Sequence, residues 1–281
     1  MKHTAQLKNS RITYVDEGSG APVVLLHGFC GSSAYWEEVI PLLAGKFRVI
    51  APDLRGHGDS SAPTPAAGDT AREAEAGGAA QDAYPMEAFA LDVRELLDVL
   101  AIDKAILLGH SLGGYVTLAF AEAYPERLAA FGLIHSTAYP DTEEGKINRI
   151  AGIRTIREQG ISVFVEGLVP KLFAPDHLNS MPDKVQRALA IGRGTDPGAA
   201  AATQEGMRRR PDRNAVLQDA QVPVLLVSGG QDKIVPTEKT FSVEGDGVTC
   251  TLLVSSGHMS MYEAPEQLAE AIKAFAAQIQ G

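Results

Sequence analysis

The sequence predicts an α/β fold: a mostly parallel sheet with helices on both faces and a helical cap inserted between two strands. Three observations predict it. Short runs that are apolar on both faces, such as Pro22-Val23-Val24-Leu25-Leu26 and Ala105-Ile106-Leu107-Leu108, alternate with stretches of helical periodicity, as strands covered on both sides by helices do. From 139 to about 214 the chain reads as helix with no strand signal. Between the second of those apolar runs and a helix-forming stretch stands Gly109-His110-Ser111-Leu112-Gly113, the pattern of a sharp strand-to-helix corner.

Taken in order, Arg11 to Asp16 alternates and ends in Glu17-Gly18-Ser19-Gly20, a strand and a tight turn. Pro22 to Leu26 is a central strand, followed by His27-Gly28-Phe29-Cys30-Gly31-Ser32-Ser33 and by helical spacing of Trp36, Ile40 and Leu43 from Ser33 onward. Phe47 to Ala51 is the next strand and runs into the loop Asp53 to Ser60. From 62 to 83 Ala, Gly, Pro, Thr, Glu and Asp dominate, which reads as a flexible insert within the core. Met86 to Leu100 is an amphipathic helix, and Ala105 to Leu108 with Tyr115 to Ala123 forms the strand and helix of the corner. Leu128 to His135 is a further strand. In the cap, Asp141 or Thr142 caps a helix that Gly160 stops near Gln159, and helices follow over Ile161 to Phe173, Pro182 to Ile191 and Pro197 to Arg209. Strands resume at Pro223 to Ser228 and Val248 to Val254, and a helix from Ala264 to Ile279 closes the chain. The core is therefore expected over 1–138 and 215–281, and the cap over 139–214.

A chain of 281 residues with 45% hydrophobic side chains can bury a large core. A net charge of −10 argues against nucleic acid and anionic membrane as partners. The single basic cluster, Arg208-Arg209-Arg210, reads as a solvated helix end. No apolar run approaches the roughly 20 residues of a membrane span, so the expectation is a cytoplasmic protein, a monomer or homodimer acting on a small molecule. Cys30 and Cys250 are too far apart to suggest a zinc motif or a disulfide framework and read as small buried side chains. No metal or other cofactor is implied, because no pair of histidines or acids has ligand spacing on one element.

The glycines around Ser111 have a steric reason. A serine at such a corner is strained, and side chains on either side would collide with the packed strand and helix. Its hydroxyl is a poor nucleophile until a base accepts its proton, and the base needs a carboxylate to fix its tautomer. Reactive groups of a parallel sheet gather beyond the carboxyl ends of its strands. Of seven histidines only His258 follows the last strand, and Asp232 lies in the loop Gly229 to Pro236 after the strand before it. The backbone N–H groups of Phe29 and Leu112 can form an oxyanion hole, each worth on the order of 3 kcal/mol of barrier. His27, His57 and Asp53 read as loop-shaping groups and His110 as core. His135, at a strand end, reads as a substrate contact, and Phe164, Leu168 and Phe173 as an apolar substrate pocket, with Leu172 and Met207 as further apolar cap residues.

His27-Gly28-Phe29, Asp53 to Ser60, Gly109 to Gly114, Gly229 to Pro236 and Gly257 to Met259, in this order, resemble the α/β-hydrolase superfamily in its cap-containing form. The resemblance implies an eight-stranded, mostly parallel sheet, a triad of Ser111, Asp232 and His258, oxyanion donors at Phe29 and Leu112, and a serine hydrolase that cleaves a small carboxylic ester through an acyl-enzyme. A lactonase, aminopeptidase, perhydrolase or carbon–carbon bond hydrolase would use the same triad. Haloalkane dehalogenases and epoxide hydrolases of this fold carry Asp at the corner, where this chain has Ser111. An acyltransferase and a slow-turnover ligand receptor of the same fold are the readings from other classes. The insert at 62–83 departs from the family, which has a shorter link there.

Overall fold

The computed structural model describes residues 2–62 and 83–279. The expected insert at 62–83 lies, apart from its end residues, outside them. Eight strands, β1 (Lys2–Gln6), β2 (Arg11–Glu17), β3 (Ala21–Leu26), β4 (Phe47–Pro52), β5 (Ala105–His110), β6 (Leu128–Ile134), β7 (Val224–Gly229) and β8 (Val248–Leu253), form one sheet in the order β1-β2-β4-β3-β5-β6-β7-β8. β2 pairs antiparallel with β1 and β4, and every pair from β4 to β8 is parallel.

The two-sided apolar runs explain the layers. Successive side chains of a strand point to opposite faces. Val23, Leu25, Ile106, Leu108, Leu225 and Val227 accordingly join one core with Trp36 and the C-terminal helix residues Leu268, Ile272 and Phe275. Val24, Leu26, Leu107, Leu133 and Leu226 join the other, against Phe89, Val93 and Leu96 of helix Met86–Val99 and Val116 and Phe120 of helix Leu112–Ala123. A fully buried Leu or Val contributes roughly 1.5–3 kcal/mol, so the central strands hold both layers at once.

Between β6 and β7 the described chain contains helices and no strand. Thr142 caps helix Glu143–Gln159 by accepting from the Gly145 N–H at 3.1 Å, and Gly160, with φ +91°, ends it. Helix Pro197–Arg209 has its bounds where the spacing places them. Arg210 corrects the reading of a solvated end: its guanidinium is buried 4.0 Å over the Tyr115 ring and pairs with Asp141 at 2.7 Å. It ties the helical segment to helix Leu112–Ala123. Cys250 is also corrected: it is exposed on the edge strand β8, whereas Cys30 is buried.

Candidate active site

The corner at Ser111 follows from how closely β5, its helix and β3 approach. A side chain on Gly113 would place its Cβ 2.5 Å from the Leu26 carbonyl oxygen, and one on Gly109 would overlap the Gly113 carbonyl. Only glycine lets the helix start on top of the strands. The turn leaves Ser111 at φ +51°, ψ −110°, a conformation few L-residues adopt. Its own backbone is pinned on both sides: the N–H donates to Ile134 at 3.0 Å, and its carbonyl accepts from Ser136 Oγ at 2.7 Å. Ser111 is the N-cap of helix Leu112–Ala123, so the free N–H groups of the first turn and the positive end of the helix dipole lie beside its side chain.

His258 and Asp232 come together from the loops after β8 and β7. His258 Nδ1 lies 2.7 Å from Asp232 Oδ2. A neutral nitrogen lone pair would repel the carboxylate, so Nδ1 carries the proton and Nε2 the lone pair. The other oxygen of the acid, Oδ1, accepts the backbone N–H of Ile234 and Val235 at 2.8 and 3.0 Å, which fixes its plane. Burial alone would raise the Asp232 carboxyl; the two imidazoles and their hydrogen bonds outweigh it and hold the group well below the usual carboxylate range. The His258 backbone is held in turn, its N–H by the Leu172 carbonyl at 2.7 Å and its carbonyl by His110 Nε2 at 2.9 Å. His110, next to Ser111 in sequence, packs its ring 4.9 Å from that of His258.

On the other side of Ser111, His27 shapes the Phe29 loop. Its Nδ1 lies 2.8 Å from the Gly28 carbonyl and its Nε2 accepts the Leu54 N–H at 2.9 Å. Asp53 accepts Ser33 and Asp59 N–H groups at 2.6 and 2.9 Å, which holds the loop after β4 against the same turn. The Phe29 ring meets Phe164 of the helical segment edge-on at 5.8 Å.

Two residues assigned to a pocket sit elsewhere. His135 is fully buried behind the acid, with Nδ1 3.2 Å from Asp232 Oδ2 and Nε2 2.7 Å from Ser260 Oγ, so neither nitrogen is left for a substrate. The Phe173 side chain is 2% exposed and belongs to the core. Phe164 and Leu168 are half-buried at its edge. Sequence reasoning missed Glu263, whose Oε1 accepts Ala174 N–H and His177 Nδ1–H and whose Oε2 accepts Met259 N–H and Ser256 Oγ–H. This carboxylate clamps the His258 loop to the helical segment. Its position five residues after His258 was the one available signal.

His135, Asp232 and His258 each place one donor atom within 4.8 Å of the others, a grouping that a search for ligands on one element overlooks because it spans three. Their contacts here are hydrogen bonds of the two imidazoles to Asp232 Oδ2, which a cation would have to displace. A cavity of about 470 Å³ lined by Leu217, Val222, Val243 and Val248 lies at the amino ends of β7 and β8, the opposite end of the sheet from Ser111. Among the described residues no helix is long and apolar enough to cross a membrane.

Comparison with known proteins accords with this geometry. A family model described as the alpha/beta hydrolase fold matches residues 21–154. The dihydrolipoyllysine-residue acetyltransferase component of the acetoin cleaving system of Pseudomonas putida is 33% identical over 265 residues, 91% of this chain and 63% of that protein. A soluble epoxide hydrolase of Corynebacterium sp. is 42% identical over 119 residues, 42% of this chain and 36% of its own length. The chain thus spans less than two thirds of either relative. Among solved structures, a thermophilic esterase from Thermogutta terrifontis superposes with a TM-score of 0.88 at 29% identity, with both chains covered in full. An enol-lactonase from Burkholderia xenovorans LB400, 22% identical with 98% of this chain and 100% of its own covered, shares the fold with a TM-score of 0.85. By sheet order, motif order and these likenesses, the chain has the α/β-hydrolase fold.

Proposed function

We propose that the chain is a serine hydrolase that cleaves small carboxylic esters through an acyl-enzyme. The observation that carries the reading is the 2.7 Å bond from His258 Nδ1 to a buried, ionised Asp232, with the His258 backbone carbonyl tied to His110, the residue beside Ser111. In that reading Ser111 Oγ attacks the ester carbonyl as its proton passes to His258 Nε2. The tetrahedral oxyanion is received by the N–H groups of Phe29 and Leu112. His258 then returns the proton to the departing alcohol. Water, deprotonated by the same nitrogen, releases the acid and restores the serine. Asp232 stays ionised throughout and stabilises the imidazolium. Phe164, which meets Phe29 edge-on, and Leu168 on the same helix are assigned to the acyl side, which suits a small apolar acyl group; the reading requires no cofactor.

The full-length chain should react covalently with a fluorophosphonate at Ser111 and hydrolyse p-nitrophenyl esters, short chains first. Ser111→Ala should remove both signals with its melting temperature retained. Labelling elsewhere, or wild-type turnover by Ser111→Ala, overturns the assignment. Acyl transfer is a second reading, favoured by the acetyltransferase name of the relative that aligns with 91% of this chain. It uses the same acyl-enzyme and differs only in the acceptor. Product analysis with an added alcohol or dihydrolipoamide separates the two: acylated acceptor supports transfer, and free acid alone supports hydrolysis.

A further inference from the structure

We propose that His135 is a positioning residue that braces the catalytic acid against the loop of the catalytic base and shares the acid's charge with His258; this rests on the triad reading above. One imidazole bridges two loops. Its Nδ1 meets Asp232 Oδ2 at 3.2 Å, on the same oxygen that accepts His258 Nδ1–H, and its Nε2 meets Ser260 Oγ at 2.7 Å, two residues beyond His258. With Nδ1 protonated toward the carboxylate, Nε2 is an acceptor and the Ser260 hydroxyl donates to it. His135 thereby completes a closed set of polar contacts, Ser260 to His135 to Asp232 to His258, without any exposed surface of its own.

The backbone is built for this placement. His135 continues β6 but turns to φ +49°, a region that non-glycine residues enter only when the surroundings hold them there. Its N–H donates to the Val227 carbonyl of β7 at 2.8 Å, and the next residue, Ser136, holds the Ser111 carbonyl at 2.7 Å. The end of β6 thus touches the nucleophile's backbone, the acid and the base's loop. The groups facing His135 are Asp232, His258 with ring centroids 5.7 Å apart, His110 at 6.0 Å, and the Glu263 carboxylate. Burial keeps His135 neutral, with the neighbouring acid pulling the other way.

A second donor on Oδ2 satisfies part of the carboxylate's charge, so Asp232 holds the imidazolium of His258 less tightly than it would alone. Removing that donor should move the acid limb of the kcat/KM profile to higher pH by roughly one unit, the scale of one hydrogen bond to a charged group. A crossed pair of variants isolates the effect. His135→Asn can present its amide N–H where Nδ1 was and lose Ser260; His135→Gln reaches Ser260 and leaves Oδ2 with one donor. Asn also tolerates the positive φ. The expected result is a limb near wild type for Asn, an upward shift for Gln, and a kcat reduced about tenfold or more in Gln with KM little changed. His135→Phe, where it folds by near-ultraviolet circular dichroism, should shift as Gln does. Equal limbs in all forms, or equal shifts in Asn and Gln, overturn the proposal. Its failure is distinguishable from failure of the triad reading, which would show as activity or labelling retained in Ser111→Ala.

Discussion

Replacing Asp232 with asparagine tests the site at its most constrained side chain. The carboxylate accepts four N–H groups, two backbone donors at Oδ1 and two imidazoles at Oδ2. An amide of the same shape offers one acceptor and one donor group, so whichever way it turns, its NH2 faces two donors. With the amide oxygen kept on Ile234 and Val235, the imidazoles can relieve the conflict only by moving their protons away from Nδ1. That puts the His258 proton on Nε2, where it cannot accept from Ser111. With the amide flipped, the Val235 N–H, on a buried residue, loses its acceptor at about 1–3 kcal/mol, while the exposed Ile234 N–H can turn to water. The first orientation is therefore favoured. The expected loss is about 2 kcal/mol of stability in urea unfolding and a kcat lower by about 10³–10⁴ on p-nitrophenyl acetate, with KM close to wild type. The pH dependence adds a signed test. Because the folded-state value of Asp232 is depressed, its contribution is present above the unfolded value near 3.9 and is lost as the pH falls through that value toward the folded one. The stability gap between wild type and Asp232→Asn should stay level above about pH 5 and narrow below about pH 4. Unchanged kcat, or a gap that widens in acid, refutes the reasoning.

Four further substitutions probe the scaffold. Gly109→Ala forces a Cβ into the Gly113 carbonyl, backbone against backbone, and should lower stability by at least about 3 kcal/mol or abolish soluble expression; Gly167→Ala, in open space on helix Ile161–Leu168, should raise the melting temperature slightly through helix propensity worth up to about 1 kcal/mol. Glu263→Gln turns an amide NH2 toward donors in the clamp under His258, and about 2 kcal/mol of stability and about tenfold in kcat should go together in urea melts and steady-state assays. Arg210→Met removes a buried cation from Tyr115 and Asp141, and because Arg149 still pairs with Asp141 at 3.0 Å the loss in urea unfolding should stay near 2–4 kcal/mol. A neutral result at Arg210 would mean that the helical segment is not anchored there.

The parallel sheet was legible because burial on both faces leaves no choice of residue: Val23 to Leu26 has no polar side to show. β1 escaped the same reading. Lys2–Gln6 buries only Ala5 and joins the sheet at its edge through backbone pairing with β2, which leaves no periodicity to detect. Ser33 to Leu43 gave the right buried residues and the wrong backbone. Trp36, Ile40 and Leu43 do face the core, but from a 3₁₀ turn, Ser33–Trp36, and one short helix, Ile40–Leu43, because apolar spacing reports a face and not a hydrogen-bond pattern. Arg210 was misread because it continues a run of two more exposed arginines, Arg208 and Arg209; its side chain turns inward where the helix ends.

Ser111, Asp232 and His258 could be nominated from sequence because each sits in a short motif at the end of a strand, and parallel strands bring such ends to one rim. The groups around them have no motif. His135 meets residues 97 and 125 positions away, and His110 reaches a carbonyl 148 positions away, distances that no local pattern spans. A physical signal was nonetheless present. β6 is apolar throughout from Leu128 to Ile134, and the residue that follows continues into the same covered layer. A titratable side chain at such a position cannot be left unpaired, because a buried polar group without a hydrogen bond costs more than folding can spare. Its partners must come from the neighbouring strand ends, and beside β6 lie β5, which leads into Ser111, and β7, which leads into Asp232. Treating His135 as a group in need of two partners, instead of one available to substrate, would have pointed to Asp232.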